Sequence, residues 1–237
     1  MYEGNGFMKF LEKKLLGCPL YGYLTAVLLY ALQNLLYEQI RMYQERVGVV
    51  WHTTKIPLLD DLIPLQPEFW IIIYLFSHIF WIIGPVAASK VDKAHYRDFI
   101  AGVVIAELIG AAVFVLYPTG MNRAAEGLLN NNPGFFNGIL QWTYAADGLT
   151  YGTNLLPSFH CLISTSYFLV VYKRPEISRG YQIFAGIFCI LIFISTVTTK
   201  QHFIIDIPAG IALAVFSYAL ACHFHLGNLG RGEKASS

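Results

Sequence analysis

The chain has 237 residues, 56% of them hydrophobic and 13% charged, with a formal net charge of +1. A soluble domain carries about 25% charged residues, so the composition excludes an ordinary water-soluble globule. The near-zero net charge says nothing about partners, which depend on where the charges sit; no nucleic-acid partner is expected. The four cysteines, Cys18, Cys161, Cys189 and Cys222, lie in or beside apolar runs without metal-type spacing, and read as packing thiols.

In chain order, residues 1–18 interleave Phe7, Phe10, Leu11 and Leu15 with Lys9, Lys13 and Lys14, a pattern suited to a short amphipathic collar on an anionic membrane surface. The first apolar run follows without a small-residue cleavage site and reads as a retained anchor. Six apolar runs are expected to be helices, at residues 21–37, 69–88, 99–117, 157–172, 181–199 and 203–223. Each is near the about 20 residues that cross a bilayer. Continuous rather than alternating apolarity favours helices over a barrel. The expected fold is therefore all-α: one polytopic membrane domain over 1–237, six transmembrane helices in a single bundle, with a flexible tail at 226–237. Nothing in the sequence sets the oligomeric state.

Lys and Arg concentrate on cytoplasmic loops. With both termini cytoplasmic, eleven of the 16 basic residues fall inside, so this orientation is expected. The end of the third run, the start of the fourth, the end of the fifth and the start of the sixth then share the extracytoplasmic face. The loop at 38–68 is too polar to span. The loop at 118–156 carries Arg123, a turn at Asn130-Asn131-Asn132-Pro133-Gly134 and an expected short helix over 135–145. His78 and Glu107 fall mid-span on consecutive helices and are expected to pair or to share a polar neighbour, too deep to touch the outer-face site.

Two polar knots meet on that face. Pro157-Ser158-Phe159-His160 opens the fourth run; Lys200-Gln201-His202-Phe203-Ile204-Ile205-Asp206 separates the fifth from the sixth. His202 and Asp206 are four apart and share one face if helical. A helix start at Pro157 offers free backbone N–H groups to an anion, and Arg123 and Lys200 would add positive charge. The arrangement suits phosphoryl transfer: His202 as nucleophile oriented by Asp206, His160 as general acid, and Arg123, Ser158 and Lys200 on the phosphate oxygens. No carboxylate cluster suggests a divalent ion, so neither metal nor other cofactor is expected.

Pro157-Ser158-Phe159-His160, a gap of 41 residues, then His202-Phe203-Ile204-Ile205-Asp206-Ile207-Pro208-Ala209-Gly210 resembles the type 2 phosphatidic acid phosphatase superfamily over about residues 100–225. The family's motifs are K-x6-R-P, P-S-G-H and S-R-x5-H-x3-D. The resemblance implies that His202 is the nucleophile, Asp206 its orienting carboxylate, His160 the acid and Ser158 a phosphate ligand. Three departures stand out: Phe159 replaces Gly, Thr196 replaces Arg after Ser195, and Leu116 and Ala124 replace the Lys and Pro of the first motif. These losses resemble the branch containing inositol phosphorylceramide synthase and sphingomyelin synthase. The expected function is a membrane lipid phosphate phosphatase using a phosphohistidine, with phospho-headgroup transfer as the alternative and a non-catalytic lipid-binding relative as a third reading. Thr196 cannot supply charge, so Lys200, one helical turn on, is expected to replace the missing Arg.

Overall fold

A computed structural model describes residues 6–130 and 132–229. A short helix, α1 (Gly6–Leu11), and a two-stranded ribbon, β1 (Lys14–Leu15) with β2 (Cys18–Pro19), precede the long helix α2 (Leu20–Val47). The segment that follows holds one turn, α3 (Pro57–Asp60). Then come α4 (Glu68–Ala88), α5 (Lys93–Leu116), strand β3 (Gly120–Asn122), α6 (Phe135–Ala146), strand β4 (Tyr151–Thr153), α7 (Phe159–Val171), α8 (Arg179–Thr198) and α9 (Asp206–His223). The chain is an all-α polytopic membrane protein.

Helix ends follow local chemistry. Asp92 caps α5 by accepting from His95 N at 2.8 Å, and Ser158 and Ser178 cap α7 and α8 through their hydroxyls. Gly48, at a φ of 66°, ends α2 in the left-handed region. The expected helix at 135–145 is α6. The expected turn before it includes Asn131, which lies outside the described residues, as do residues 1–5 of the expected collar.

Six helices occupy the six apolar runs, but only α4, α5, α8 and α9 are both long and apolar enough to cross a membrane. Two departures from six uniform spans have physical causes. Helix α2 extends ten residues past the predicted end and carries the polar residues Gln33, Asn34, Glu38, Arg41 and Gln44. Helix α7 has 13 residues, ten of them buried, and packs against α4, α5, α8 and α9. Its surroundings are protein rather than lipid, so a full-length apolar span is not needed there. The chain end also differs from the expected flexible tail. Leu226–Asn228 forms a helical turn held to α5, with Gly227 N donating to Asp98 Oδ1 at 2.9 Å and Arg97 Nη2 to Asn228 Oδ1 at 2.5 Å. Residues 230–237 lie outside the described residues.

The core runs through the interhelical seams, with Trp81, Phe99, Phe114, Leu162, Ile163 and Ile192 fully buried. Helix α4 packs against α2, α7 and α8, whereas α5 packs against α9, α2 and α7. That arrangement separates the two mid-span ionisable residues. His78 faces α2, its Nδ1 3.4 Å from Tyr30 Oη. Glu107 is fully buried, and neither carboxyl oxygen has a hydrogen-bond partner among the described residues. The expected His78–Glu107 pair does not form.

A buried polar group without a partner costs stability, so an apolar replacement of similar volume is neutral or favourable. Glu107→Leu is therefore expected to leave the thermal midpoint in detergent unchanged or raised. A fall of about 4 °C or more, roughly 1 kcal/mol or more, would contradict this.

Candidate active site

The ends of α5 and α8 and the starts of α7 and α9 meet at one end of the bundle. The β3–β4 ribbon and α6 cover them. There the two polar knots come together through the backbone as well as the side chains: Ser158 N donates to Asp206 O at 3.1 Å. Gly210 permits that approach, because a Cβ at this position would collide with Ser158 O.

The second knot is a loop rather than a helix. Helix α8 stops at Thr198, and Lys200 takes a φ of 51°. The Thr196 carbonyl accepts from Gln201 N at 2.9 Å and His202 N at 3.1 Å, and α9 begins only at Asp206. His202 and Asp206 thus meet across a tight turn, not along a shared helical face. His202 Nδ1 lies 3.4 Å from Asp206 Oδ2. Its N–H is not aimed along that line, and Nδ1 has no hydrogen-bond partner among the described residues. Such hydrogen bonds commonly tighten only with substrate in place.

Asp206 is fully buried at the N-terminus of α9, where the helix dipole favours a negative charge. Its Oδ2 accepts from Phe203 N at 2.9 Å and its Oδ1 from Thr54 Oγ1 at 2.9 Å. Asp60, from the same segment as Thr54, accepts from Ile204 N at 2.8 Å and Ile56 N at 2.7 Å. The segment before α4 therefore braces the His202 loop at two points.

His160 sits across a cavity of about 290 Å³ whose lining includes His202, Gln201, His78 and Asp147. Its ring stacks on Tyr74 at 4.3 Å and lies 4.8 Å from Trp81, 5.8 Å from His78 and 5.9 Å from His202, between ring centroids. His160 Nε2 has no hydrogen-bond partner among the described residues. His78 is thus a wall of this cavity, contrary to the expectation that it is too deep to reach the site.

The expected phosphate ligands are placed differently. Arg123 is fully buried and does not line the cavity. It donates to Tyr144 O and Gly148 O at 3.2 and 2.7 Å, to Asp147 Oδ2 at 2.7 Å and to Gln201 Oε1 at 2.9 Å. Burial pushes the Asp147 carboxyl above its usual range, an effect that Arg123 and Tyr37 offset in part. Ser158 is also fully buried, and its hydroxyl caps α7. Lys200 points away from His202 into a separate cavity of about 280 Å³, where its Nζ donates to Asp60 O at 2.9 Å. Burial lowers its ammonium pKa despite nearby Asp60. The helix expected to carry Lys200 back towards the phosphate has already ended. What Arg123 does supply is orientation: it holds the amide of Gln201, a residue of the cavity lining, by its Oε1, while Gln201 Nε2 is buried without a partner among the described residues.

Residues 63–220 match the PAP2 superfamily. The chain belongs to the PAP2 superfamily. No curated protein and no solved structure matches it. Membership supports a phosphatase-type or related lipid phosphatase function.

Against that PAP2 background, the three departures have local counterparts. Phe159 packs its ring 4.7 Å from Phe114 and against Gly110, where a Cβ would collide with it. Thr196 turns its hydroxyl back to Phe193 O at 2.8 Å. Leu116 is 83% exposed on the outside of the bundle, so the first-motif position does not face this cavity.

Sequence reading missed Thr54, Gln201 and His78 as site residues. Thr54 is 152 positions from its partner and carries no local signal. Gln201 is adjacent to His202 and was legible by position alone. Thr54→Val is expected to lower kcat about tenfold with little change in KM, as for a lost hydrogen bond to a buried charge. Thr54→Ser should recover most of the rate. Wild-type kcat in Thr54→Val would show that the hydroxyl does not matter to Asp206.

Proposed function

We propose that this protein is a lipid phosphate phosphatase working through a phosphohistidine on the extracytoplasmic face. The observation that carries the proposal is the pair of imidazoles facing one cavity, with the Nδ1 side of His202 turned to Asp206. That leaves His202 Nε2 to attack phosphorus. The P–O bond to the lipid breaks, and protonated His160 gives its proton to the leaving oxygen. In the second step neutral His160 takes a proton from water as that water attacks the phosphohistidine. Inorganic phosphate leaves, and both imidazoles return to their starting states. Asp206 stabilises positive charge on His202 during attack, and Gln201 Nε2 offers a hydrogen bond to a phosphate oxygen.

The losses at positions 159 and 196 favour a second reading, in which an alcohol replaces water as acceptor. Phosphate release by the solubilised protein from a lipid phosphate with no added alcohol separates the two. The basic-residue bias supports the orientation. A cysteine introduced in the 124–134 loop should react with an impermeant thiol reagent in intact cells, and labelling only after lysis would reverse the assignment.

Asp206→Asn is expected to fold and to lose about a hundredfold or more in rate, since the imidazole loses its orienting carboxylate. His160→Ala should slow first-turnover release of the leaving group about a hundredfold from a lipid phosphate but far less from p-nitrophenyl phosphate, whose leaving group needs no proton. Equal first-turnover losses on both substrates would remove His160 from the general-acid role.

A further inference from the structure

The cavity has one wall that the superfamily match does not include. Helix α2 lies outside residues 63–220, yet it contributes Tyr30, Gln33, Asn34, Tyr37 and Glu38 to the lining. These positions follow the i, i+3, i+4, i+7, i+8 spacing of one helical face. A polar stripe on a helix beside lipid is costly unless it faces protein or a polar cavity. Part of the stripe is structural: Tyr37 Oη donates to Asp147 and to Thr153 O, and Gln44, further along, donates to Asn154 and Phe114 O. The remainder borders the cavity. Gln33 is 8% exposed, and its amide lies in the lining. Asn34 uses Nδ2 on Tyr30 O, leaving Oδ1 as an acceptor. Glu38 accepts from Arg41 at Oε2, leaving Oε1.

The lining therefore holds two kinds of group. The imidazoles of His160 and His202 offer donors, whereas Asn34 and Glu38 on α2 offer acceptors, and among the described residues no Lys or Arg lines the wall. A bare phosphate uses only the donors. A headgroup with a hydroxyl or ammonium close to its phosphate uses both.

We propose that the polar face of α2 is a headgroup-recognition wall, and that the preferred substrate is a lipid phosphate carrying a hydroxyl or ammonium donor next to the reacting phosphoryl group. The inference rests on the phosphatase reading. The phosphoryl group takes the imidazole donors, and the neighbouring donor reaches Gln33, Asn34 or Glu38. Because α2 lies outside the matched region, selectivity would be built separately from the His202–Asp206 machinery.

The test measures phosphate release by the detergent-solubilised protein from three monoesters. Phosphatidate has no donor beside its phosphate, phosphatidylglycerol phosphate has a hydroxyl, and sphinganine 1-phosphate has an ammonium and a hydroxyl. At least one donor-bearing lipid should exceed phosphatidate by about tenfold or more in kcat/KM, as expected when a site hydrogen-bonds its substrate. Which of the two leads identifies a hydroxyl or an ammonium as the group recognised. Gln33→Leu and Glu38→Gln should bring the ratio towards one, with the loss falling on KM of the favoured lipid. Glu38 is half-exposed, so its variant is expected to fold even if Gln33→Leu does not. Equal kcat/KM for all three lipids, or variants that lower all three alike, would overturn the wall and leave the phosphatase reading standing. No release from any of the three would overturn both.

Discussion

Asp206 is a carboxylate with no solvent exposure, and such a group is tolerated only when its lone pairs are met. Phe203 N and Thr54 Oγ1 meet them from two sides, and the helix that begins at Asp206 adds its dipole. Its own carbonyl accepts from Ser158 N, which ties the start of α7 to the start of α9. The two histidines are opposed across one cavity because this single residue holds the His202 loop by its side chain, through Phe203 N, and the His160 helix by its backbone. The segment at residues 50–66 completes the carboxylate's surroundings, so a stretch with one helical turn becomes part of the site.

A second buried network sets the cavity's charge. Arg123 sits behind the wall and spends its donors on Asp147, Gln201 and two carbonyls. Its positive charge is balanced before any ligand arrives, and its contribution to the cavity is an oriented amide. Removing one partner of such a pair leaves a buried charge alone, which makes Arg123 structural first and electrostatic second.

The parts of this arrangement that were legible in the sequence are those written in short spacings. Apolar runs gave the helix positions, and the four-residue interval gave the His202–Asp206 contact, although through a turn instead of a helix. Arg123 was legible as a residue at the site but not as a paired one, because its partners lie 21 to 78 positions away. Lys200 was misplaced because nothing local indicated that α8 ends two residues before it with a left-handed reversal. The polar stripe of α2 was present in the spacing of residues 30, 33, 34, 37 and 38. It was obscured by treating 21–37 as one apolar run and the rest as loop. His78 and Glu107 show the limit of reasoning from depth alone: their depths were similar, but which neighbours each helix packs against decided their partners.

The central claim is that His202 carries the phosphoryl group. Rapid quenching of turnover at alkaline pH, followed by peptide mass spectrometry, tests it most directly, because a phosphohistidine survives base and is lost in acid. The account predicts a phosphorylated peptide containing His202 that appears within one turnover, disappears after acid treatment, and accumulates when His160→Ala slows the second step on p-nitrophenyl phosphate. Turnover by wild type at full rate with no phosphate on that peptide, or undiminished phosphate release by His202→Ala, would contradict it.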